Sequence, residues 1–543
     1  MKNTFLRNII ITGLLATGVS CTKLNEAPYL FDKVTGDNFG KTDLEVSSLV
    51  GAAYSNLNGI GSSNHYIQLN EVTTDEMVVP TRGPDWGDGG HWVRLKRHKY
   101  TALDPSPGNG WSFCYAGVST CNRLIATLTK INNPLALSYI PELKALRAIY
   151  YYWLLDWYGN VPLSIDYNDT KPPSNATRQQ VYDFVEKELL ENAPLLKRPK
   201  SIPDVETYAR VSSYTAYACL AKLYLNAKVY TGTAQWAKAS AACDTIINAG
   251  IYSLMPNYAD NFSQNDQNSK EFIWALPFDH IKFRGFNLNM MTLSYLNQST
   301  YNINAQPWNG FASTAEFYKS YIDPVSNPGP SGRVVGLDPK GDSVDGTVDK
   351  RMLNNFLVGP QFSSSGARLS DDGADADDPD GKPFTFTPYI NELEPGAWRQ
   401  SGARISKWQF YSGMTQDLDN DFAIFRYADI LLMKAEATAM QTSWNDGTVL
   451  AIVNQIRTVH GGVTPFSSLT ATKFLAERSR EMFAEAWKRQ DMIRFGTYND
   501  ASLFHDADPV DALGPNGINH LNIFPLPDAQ VNANKNLKQN PGY

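Results

Sequence analysis

Hydrophobic positions recur at three-to-four-residue spacing along much of this chain, which is the pattern of helices with one buried face. In 141–158 the apolar residues share such a face, while Pro141 suits a first helical turn and Gly159 a helix end. The same spacing predicts helices at 41–57, 112–130, 178–192, 208–229, 235–248, 424–440, 446–459 and 470–488.

Short breaks separate several of these predicted helices, and small side chains such as Ala216, Ala218 and Ala221 allow neighbouring helices to approach closely. Helical hairpins without a strict sequence period are typical of a tetratricopeptide-like superhelix. The sequence therefore predicts a mainly α fold that combines such a superhelix with a large irregular part.

The irregular part is visible as two stretches in which helical periodicity is lost. Gly, Pro, Asn, Ser and Asp dominate there, with aromatic residues between them. Long irregular segments on a regular scaffold commonly carry binding sites. We expect a helical region over 21–250 with a binding loop at 58–110, and a second region over 251–543. In that region the irregular insertion 251–423 precedes closing helices at 424–490.

The N-terminus has the features of a secretion signal. Lys2 and Arg7 precede a short apolar run and then small residues that lead to Cys21, which is the layout of a secretory signal. The run is too short to span a membrane. Residues 1–20 are thus a predicted lipoprotein signal peptide with Cys21 as the lipidated residue. The alternative is a chance cysteine after an ordinary signal.

Charge and cysteine content argue against a nucleic-acid partner, a disulfide framework and a zinc site. The chain has 543 residues and a net charge of −7, and apart from one basic cluster at 94–99 it lacks the clustered Lys and Arg of nucleic-acid binders. No nucleic acid is therefore expected as a partner. The four cysteines besides Cys21 are too few for a disulfide framework in a chain this long, and no CxxC spacing suggests zinc. We expect them to be buried free thiols.

Aromatic residues make up 12% of the chain, and several lie in polar stretches that offer little core. Flat apolar side chains bind the C–H faces of sugars, while nearby carboxylates and amides bind hydroxyls. We expect Trp86 and Trp308 to form two walls of one shallow platform, although either one could instead anchor its loop. The carbohydrate-binding candidates are Trp86, Trp308, Tyr301, Tyr295, Asp85, Asp88, Asn309 and Trp92.

An aspartate-rich segment before Gly381 is a weak candidate for calcium, which prefers oxygen ligands. Its order differs from that of an EF-hand loop, and a solvated acidic insertion is the alternative. No other cofactor is expected. The calcium candidates are Asp371, Asp375, Asp377 and Asp380.

The sequence contains none of four common catalytic or nucleotide-binding motifs. The seven His residues form no HExxH, and GxSxG, GxxxxGK[ST] and GxGxxG are absent. The carboxylate pair of a glycosidase is defined by distance rather than by sequence spacing, so a surface glycoside hydrolase stays open as an alternative. We expect a binding protein and not an enzyme.

The chain resembles the SusD/RagB family of outer-membrane nutrient-binding lipoproteins from Bacteroidetes. The motifs that carry the resemblance are 425–437 (FRYADILLMKAEA), 477–481 (ERSRE), 491–496 (DMIRFG), 524–527 (FPLP) and 539–543 (QNPGY).

The resemblance implies a fold and a role. It implies a tetratricopeptide-like half, an irregular second half, and a lipoprotein held on the outer membrane through lipid on Cys21. It further implies that an oligosaccharide or polysaccharide is captured and delivered to a TonB-dependent outer-membrane transporter. A peptide-capturing protein of the RagB type is the alternative that the same resemblance allows.

Replacing the predicted lipidation site tests the anchoring. Cys21→Ala should release the protein from the membrane fraction or stall its export, because no other membrane anchor is predicted. Fractionation with immunoblotting measures this, with Glu26→Ala as a control that keeps the cysteine. An unchanged membrane fraction for Cys21→Ala would contradict the prediction.

Overall fold

Helices form most of the regular structure in the computed structural model. The residues that it describes are 40, 42–323, 333–337, 343–345, 347–373, 382–509 and 519–543. The chain divides into a short unit, residues 1–49, and a main unit, residues 50–543. The predicted signal peptide and Cys21 lie outside the described residues. The α-helices are α1 Asp43–Ser55, α2 His91–Lys96, α3 Pro105–Ile131, α4 Pro134–Ser138, α5 Ile140–Trp157, α6 Arg178–Asn192, α7 Ser213–Leu225, α8 Ala227–Thr231, α9 Trp236–Ile247, α10 Leu288–Thr292, α11 Gln298–Tyr301, α12 Ala315–Lys319, α13 Arg351–Asn355, α14 Tyr427–Ala439, α15 Gly447–Ile456, α16 Ala471–Met482, α17 Lys488–Phe495 and α18 Asp528–Ala533.

The ends of these helices follow from local capping chemistry. The helix predicted at 112–130 begins earlier, because Pro105 lacks an N–H and is suited to a first turn. The helix predicted at 208–229 begins later, because the hydroxyl of Ser212 accepts the backbone N–H of Thr215 and so caps the start of α7.

The longer helices pack in chain order. Helix α3 packs against α5, α5 against α6, α6 against α7, and α7 against α9. Helix α14, which is far along the chain, packs against both α9 and α15. The helical array is therefore continuous across the irregular insertion, and the predicted mainly α fold with a tetratricopeptide-like array is confirmed.

Short two-stranded sheets supply the strands of the described chain. The longest pair joins Phe272 opposite Arg426 and Leu276 opposite Phe422, at the two ends of the insertion. The helix predicted at 424–440 therefore begins only at Tyr427, since the residues before it form a buried strand. The antiparallel pairs are β1 Phe272–Leu276 with β10 Phe422–Arg426, β2 Ile322–Asp323 with β5 Thr347–Val348, β3 Arg333–Leu337 with β4 Ser343–Asp345, β6 Phe356–Leu357 with β9 Arg404–Ile405, and β7 Gly359–Pro360 with β8 Thr385–Phe386.

A buried cluster of charges holds the two ends of the insertion against α16. The guanidinium of Arg426 donates to the carboxylates of Glu271 at 3.1 Å, Glu481 at 2.6 Å and Glu485 at 2.7 Å. All four side chains are almost completely buried. Burial alone would raise the pKa of Glu481, but His460 and Arg426 hold it well below its usual range.

The expected loop at 58–110 is more ordered than its composition suggested. It contains the π-helical turn Gln68–Val72 and the whole of α2, both of which bury most of their side chains. The indole N–H of Trp157 in α5 donates to Asn70 at 3.1 Å and ties this segment to the array. Polar composition misled here because those polar side chains are hydrogen-bonded inside the protein.

The four described cysteines, Cys114, Cys121, Cys219 and Cys243, are buried free thiols, as expected. None of the helices in the described ranges is long and apolar enough to cross a membrane.

Close packing between α3 and α5 makes Gly117 a sensitive position, because a Cβ there would overlap the ring of Tyr150. Gly117→Ala should destabilise the protein by about 1–3 kcal/mol through overpacking, although alanine is the better helix former. Gly108→Ala in the same helix meets nothing within 4 Å and should be neutral or stabilising by up to about 1 kcal/mol. Denaturation midpoints followed by circular dichroism compare the two variants. Equal midpoints would contradict the packing of α3 on α5.

Candidate functional site

An open groove of about 480 Å³ lies between residues 84–88 on one side and residues 295–308 on the other. Its walls combine flat aromatic and proline rings with carboxylate and amide groups. The lining residues are Pro84, Asp85, Trp86, Asp88, Tyr295, Gln306, Pro307 and Trp308.

The two predicted tryptophans are neighbours in this groove. The ring centroids of Trp86 and Trp308 are 6.4 Å apart, with their planes inclined by 49°. The indole N–H of Trp86 donates to the backbone carbonyl of Trp308 at 2.5 Å. Trp308 is 37% exposed, so a large part of its ring is open to a ligand. The geometry that was expected of the pair is present, and the binding role of each residue stays a prediction.

Trp86 is held in place by its surroundings. Its backbone has a left-handed φ of 58°, and its ring makes edge contacts with Trp92 and Phe311 at centroid distances of 5.2 Å and 5.4 Å. The ring also lies directly on Gly310, where any Cβ would overlap it. Trp86 is thus partly buried, more anchored than its polar sequence context indicated.

Arg82 joins the segments that form the groove, and its importance was missed in the sequence. Its buried guanidinium donates to the carbonyls of Gly310 at 2.6 Å, Ser401 at 2.7 Å and Asn309 at 3.0 Å. Burial lowers the pKa of Arg82 to about 9, with Asp85 acting in the opposite direction. The sequence signal for this role was an arginine within a run of Gly, Pro and Asp, where backbone carbonyls are available as hydrogen-bond acceptors.

The polar groups of the groove have distinct surroundings. Asp88 is exposed and accepts the indole N–H of Trp92 at 2.6 Å. Partial burial raises the pKa of Asp85, while Arg399 and Arg82 act to lower it. The guanidinium of Arg399 lies 4.7 Å from the ring centroid of Tyr295 and is a further residue that the sequence did not reveal.

Three of the predicted sugar-binding residues do not line the groove. The side chain of Asn309 is fully buried and accepts an N–H of Arg404 at 2.9 Å, so it supports the loop from inside. Trp92 is 5% exposed and packs beneath Trp86. Tyr301 makes an edge contact with Phe410 instead, at a centroid distance of 5.7 Å.

The calcium candidates are only partly within the described residues. Asp371 is buried and accepts an N–H of Arg399 at 2.8 Å, which gives its charge a partner without a metal ion. Asp375, Asp377 and Asp380 lie outside the described residues, and calcium binding there stays a prediction.

Comparison with known sequences identifies the family. The sequence model of the SusD family matches residues 270–543. A second model, described as starch-binding associating with outer membrane, matches residues 27–225. The chain belongs to the SusD family.

Individual relatives of this SusD-family chain match it over 92–100% of its length. The starch-binding protein SusD of Bacteroides thetaiotaomicron is 23% identical over 100% of both chains. A SusD superfamily structure from Parabacteroides distasonis covers 94% of this chain and 100% of its own, at 23% identity and a TM-score of 0.66. Surface glycan-binding protein A of B. thetaiotaomicron in complex with laminarihexaose covers 92% of this chain and 99% of its own, at 20% identity and a TM-score of 0.65. The family is one of binding proteins rather than enzymes, as expected.

Proposed function

We propose that this SusD-family protein is a cell-surface glycan-binding lipoprotein of the outer membrane, whose groove captures oligosaccharide or polysaccharide for a TonB-dependent transporter. The groove is the observation that carries the proposal. Its paired indoles offer two apolar faces, and Asp85, Asp88 and Gln306 lie beside them as hydrogen-bonding partners for hydroxyls.

The shape and charge of the groove favour a neutral glycan. A wide, shallow platform suits a chain of pyranose rings, whereas an extended peptide is usually bound through backbone pairing with a strand edge or in a narrow channel. Two carboxylates at the groove, Asp85 and Asp88, would repel an acidic sugar. The names of the relatives, which cite starch and laminarihexaose, point to the same class of ligand.

The location and the partner belong to the same proposal. The second family model carries the description of outer-membrane association. The predicted signal peptide with Cys21 supplies a lipid anchor, and the resemblance to the family implies the transporter. The long helical array then provides a surface on which a transporter can dock, apart from the loops that form the groove.

Truncation of the exposed indole tests the binding role of the groove. Trp308→Ala should weaken binding of its glycan about ten-fold, because one aromatic stacking contact contributes on the order of 1–1.5 kcal/mol. Affinity gel electrophoresis against starch, laminarin and other neutral polysaccharides identifies the ligand. Calorimetry then measures the loss of affinity in the variant. Trp308 is a cleaner probe than Trp86, whose ring also supports the loop.

Tyr167→Ala is the matched control, since it removes a 51% exposed aromatic that is not in the groove. It should bind like the wild type. Equal binding by folded Trp308→Ala would place the site elsewhere. Binding of peptides alone would favour the peptide-capturing class, and release of reducing ends would identify a glycosidase.

The transporter partnership predicts a large interface. Gentle detergent extraction from native membrane should yield a complex with a TonB-dependent transporter that buries more than about 2,000 Å², as stable assemblies usually do. Co-purification followed by mass spectrometry tests this. Recovery of the protein as a lone monomer from membranes that contain the transporter would contradict it.

A further inference from the structure

A second cluster of chemically active side chains lies outside the lining of the groove. His98 follows α2, whereas His505 and Asp508 belong to the loop after α17, and all three are buried. The Nδ1 atom of His98 lies 2.6 Å from a carboxylate oxygen of Asp508, although the two residues are 410 positions apart. The Nε2 atom of His505 lies 3.2 Å from the other oxygen of Asp508.

The outer nitrogens of both imidazoles face backbone carbonyls. Nε2 of His98 lies 2.8 Å from the carbonyl oxygen of Thr73, and Nδ1 of His505 lies 3.2 Å from that of Asp500. A carbonyl oxygen only accepts hydrogen bonds, so these contacts suit an N–H on each outer nitrogen. In that tautomer the inner nitrogens, Nδ1 of His98 and Nε2 of His505, face the carboxylate of Asp508 and can act as ligand atoms.

The centres of the two imidazole rings lie 4.1 Å apart, and the inner nitrogens of both rings face the one carboxylate of Asp508. A cation at that point would contact both nitrogens and the carboxylate together.

We propose that His98, His505 and Asp508 form a binding site for one divalent transition-metal ion of the zinc type. Two imidazole nitrogens and one carboxylate are a ligand set that suits Zn²⁺ and disfavours Ca²⁺ and Mg²⁺, which prefer oxygen ligands. The candidate ligand atoms all lie within 4.8 Å of one another. Metal-binding histidines typically donate their other N–H to a carbonyl or carboxylate, as Thr73 and Asp500 allow here.

The site has a route for the ion and a structural consequence. Asp506 and Ala507, between the two loop ligands, are exposed, so the loop separates the site from solvent by only a short distance. A bound ion links this loop to the segment after α2, with three protein ligands and a fourth position for water. It stabilises a contact between residues 410 positions apart.

Metal loading of the full chain tests the proposal. Protein stripped with EDTA and dialysed should bind one equivalent of added Zn²⁺, measured by calorimetry and by metal analysis after gel filtration. Its Tm should rise by at least about 2 °C, since an ion that binds only the folded state stabilises it. Added Co²⁺ should give the visible absorption of a site with nitrogen and oxygen ligands.

Two variants locate the ion. Asp508→Asn keeps the size of the side chain, and its amide can donate to an inner imidazole nitrogen, so the fold should persist while Zn²⁺ affinity falls at least ten-fold. His505→Ala should have the same effect on affinity. Asp506→Asn, an exposed carboxylate of the same loop, should bind like the wild type.

His280→Ala removes a separate group formed with Asp279 and Asp419, and it should also leave the bound equivalent unchanged. No retained zinc in the wild type, equal zinc binding by folded Asp508→Asn, loss of zinc with His280→Ala, or a response to Ca²⁺ alone would each overturn the proposal.

Discussion

The buried ion cluster around Arg426 is the interaction on which the rest of this structure depends. Removing charges from water costs several kcal/mol per ion, and only close, multiple pairing offsets that cost. Arg426 meets this condition with Glu271, Glu481 and Glu485. Loss of the arginine would leave the three buried glutamates with only His460, Arg351 and Lys407 as partners, which costs more than the loss of one contact.

The position of this cluster explains its structural importance. Glu271 directly precedes β1 and Arg426 ends β10, so the cluster binds the start and the end of the insertion to α16. Helix α14 begins at the next residue, Tyr427, and packs against α9, so it extends the helical array. A long irregular segment can therefore leave the helical scaffold and return to it without disturbing the stacking of the helices. The groove spans both parts of the chain, because Tyr295 and Trp308 lie on the insertion while Trp86 lies on the earlier segment.

Local sequence patterns predicted the helices well and the groove in part. The starts of α3 at Pro105 and of α7 after Ser212 were not predicted at these residues, although the local chemistry that sets them is visible in the sequence. The two tryptophans were identifiable because their neighbours offer no core in which to bury an indole. The inner role of Asn309 was not identifiable. Its backbone is left-handed, with φ of 55°, and its amide faces Arg404, 95 positions away.

The sequence by itself thus determined the helical class, the family, and the two irregular segments from which the groove is built. Those properties depend on periodicity, composition and short motifs. Only the tertiary structure decided which of the candidates share one surface, that Trp92 packs beneath Trp86, and that Arg82 and Arg399 contact the residues around the groove. These depend on contacts between residues hundreds of positions apart, where the direction of each side chain is set by packing and by buried hydrogen bonds. No local pattern records that direction.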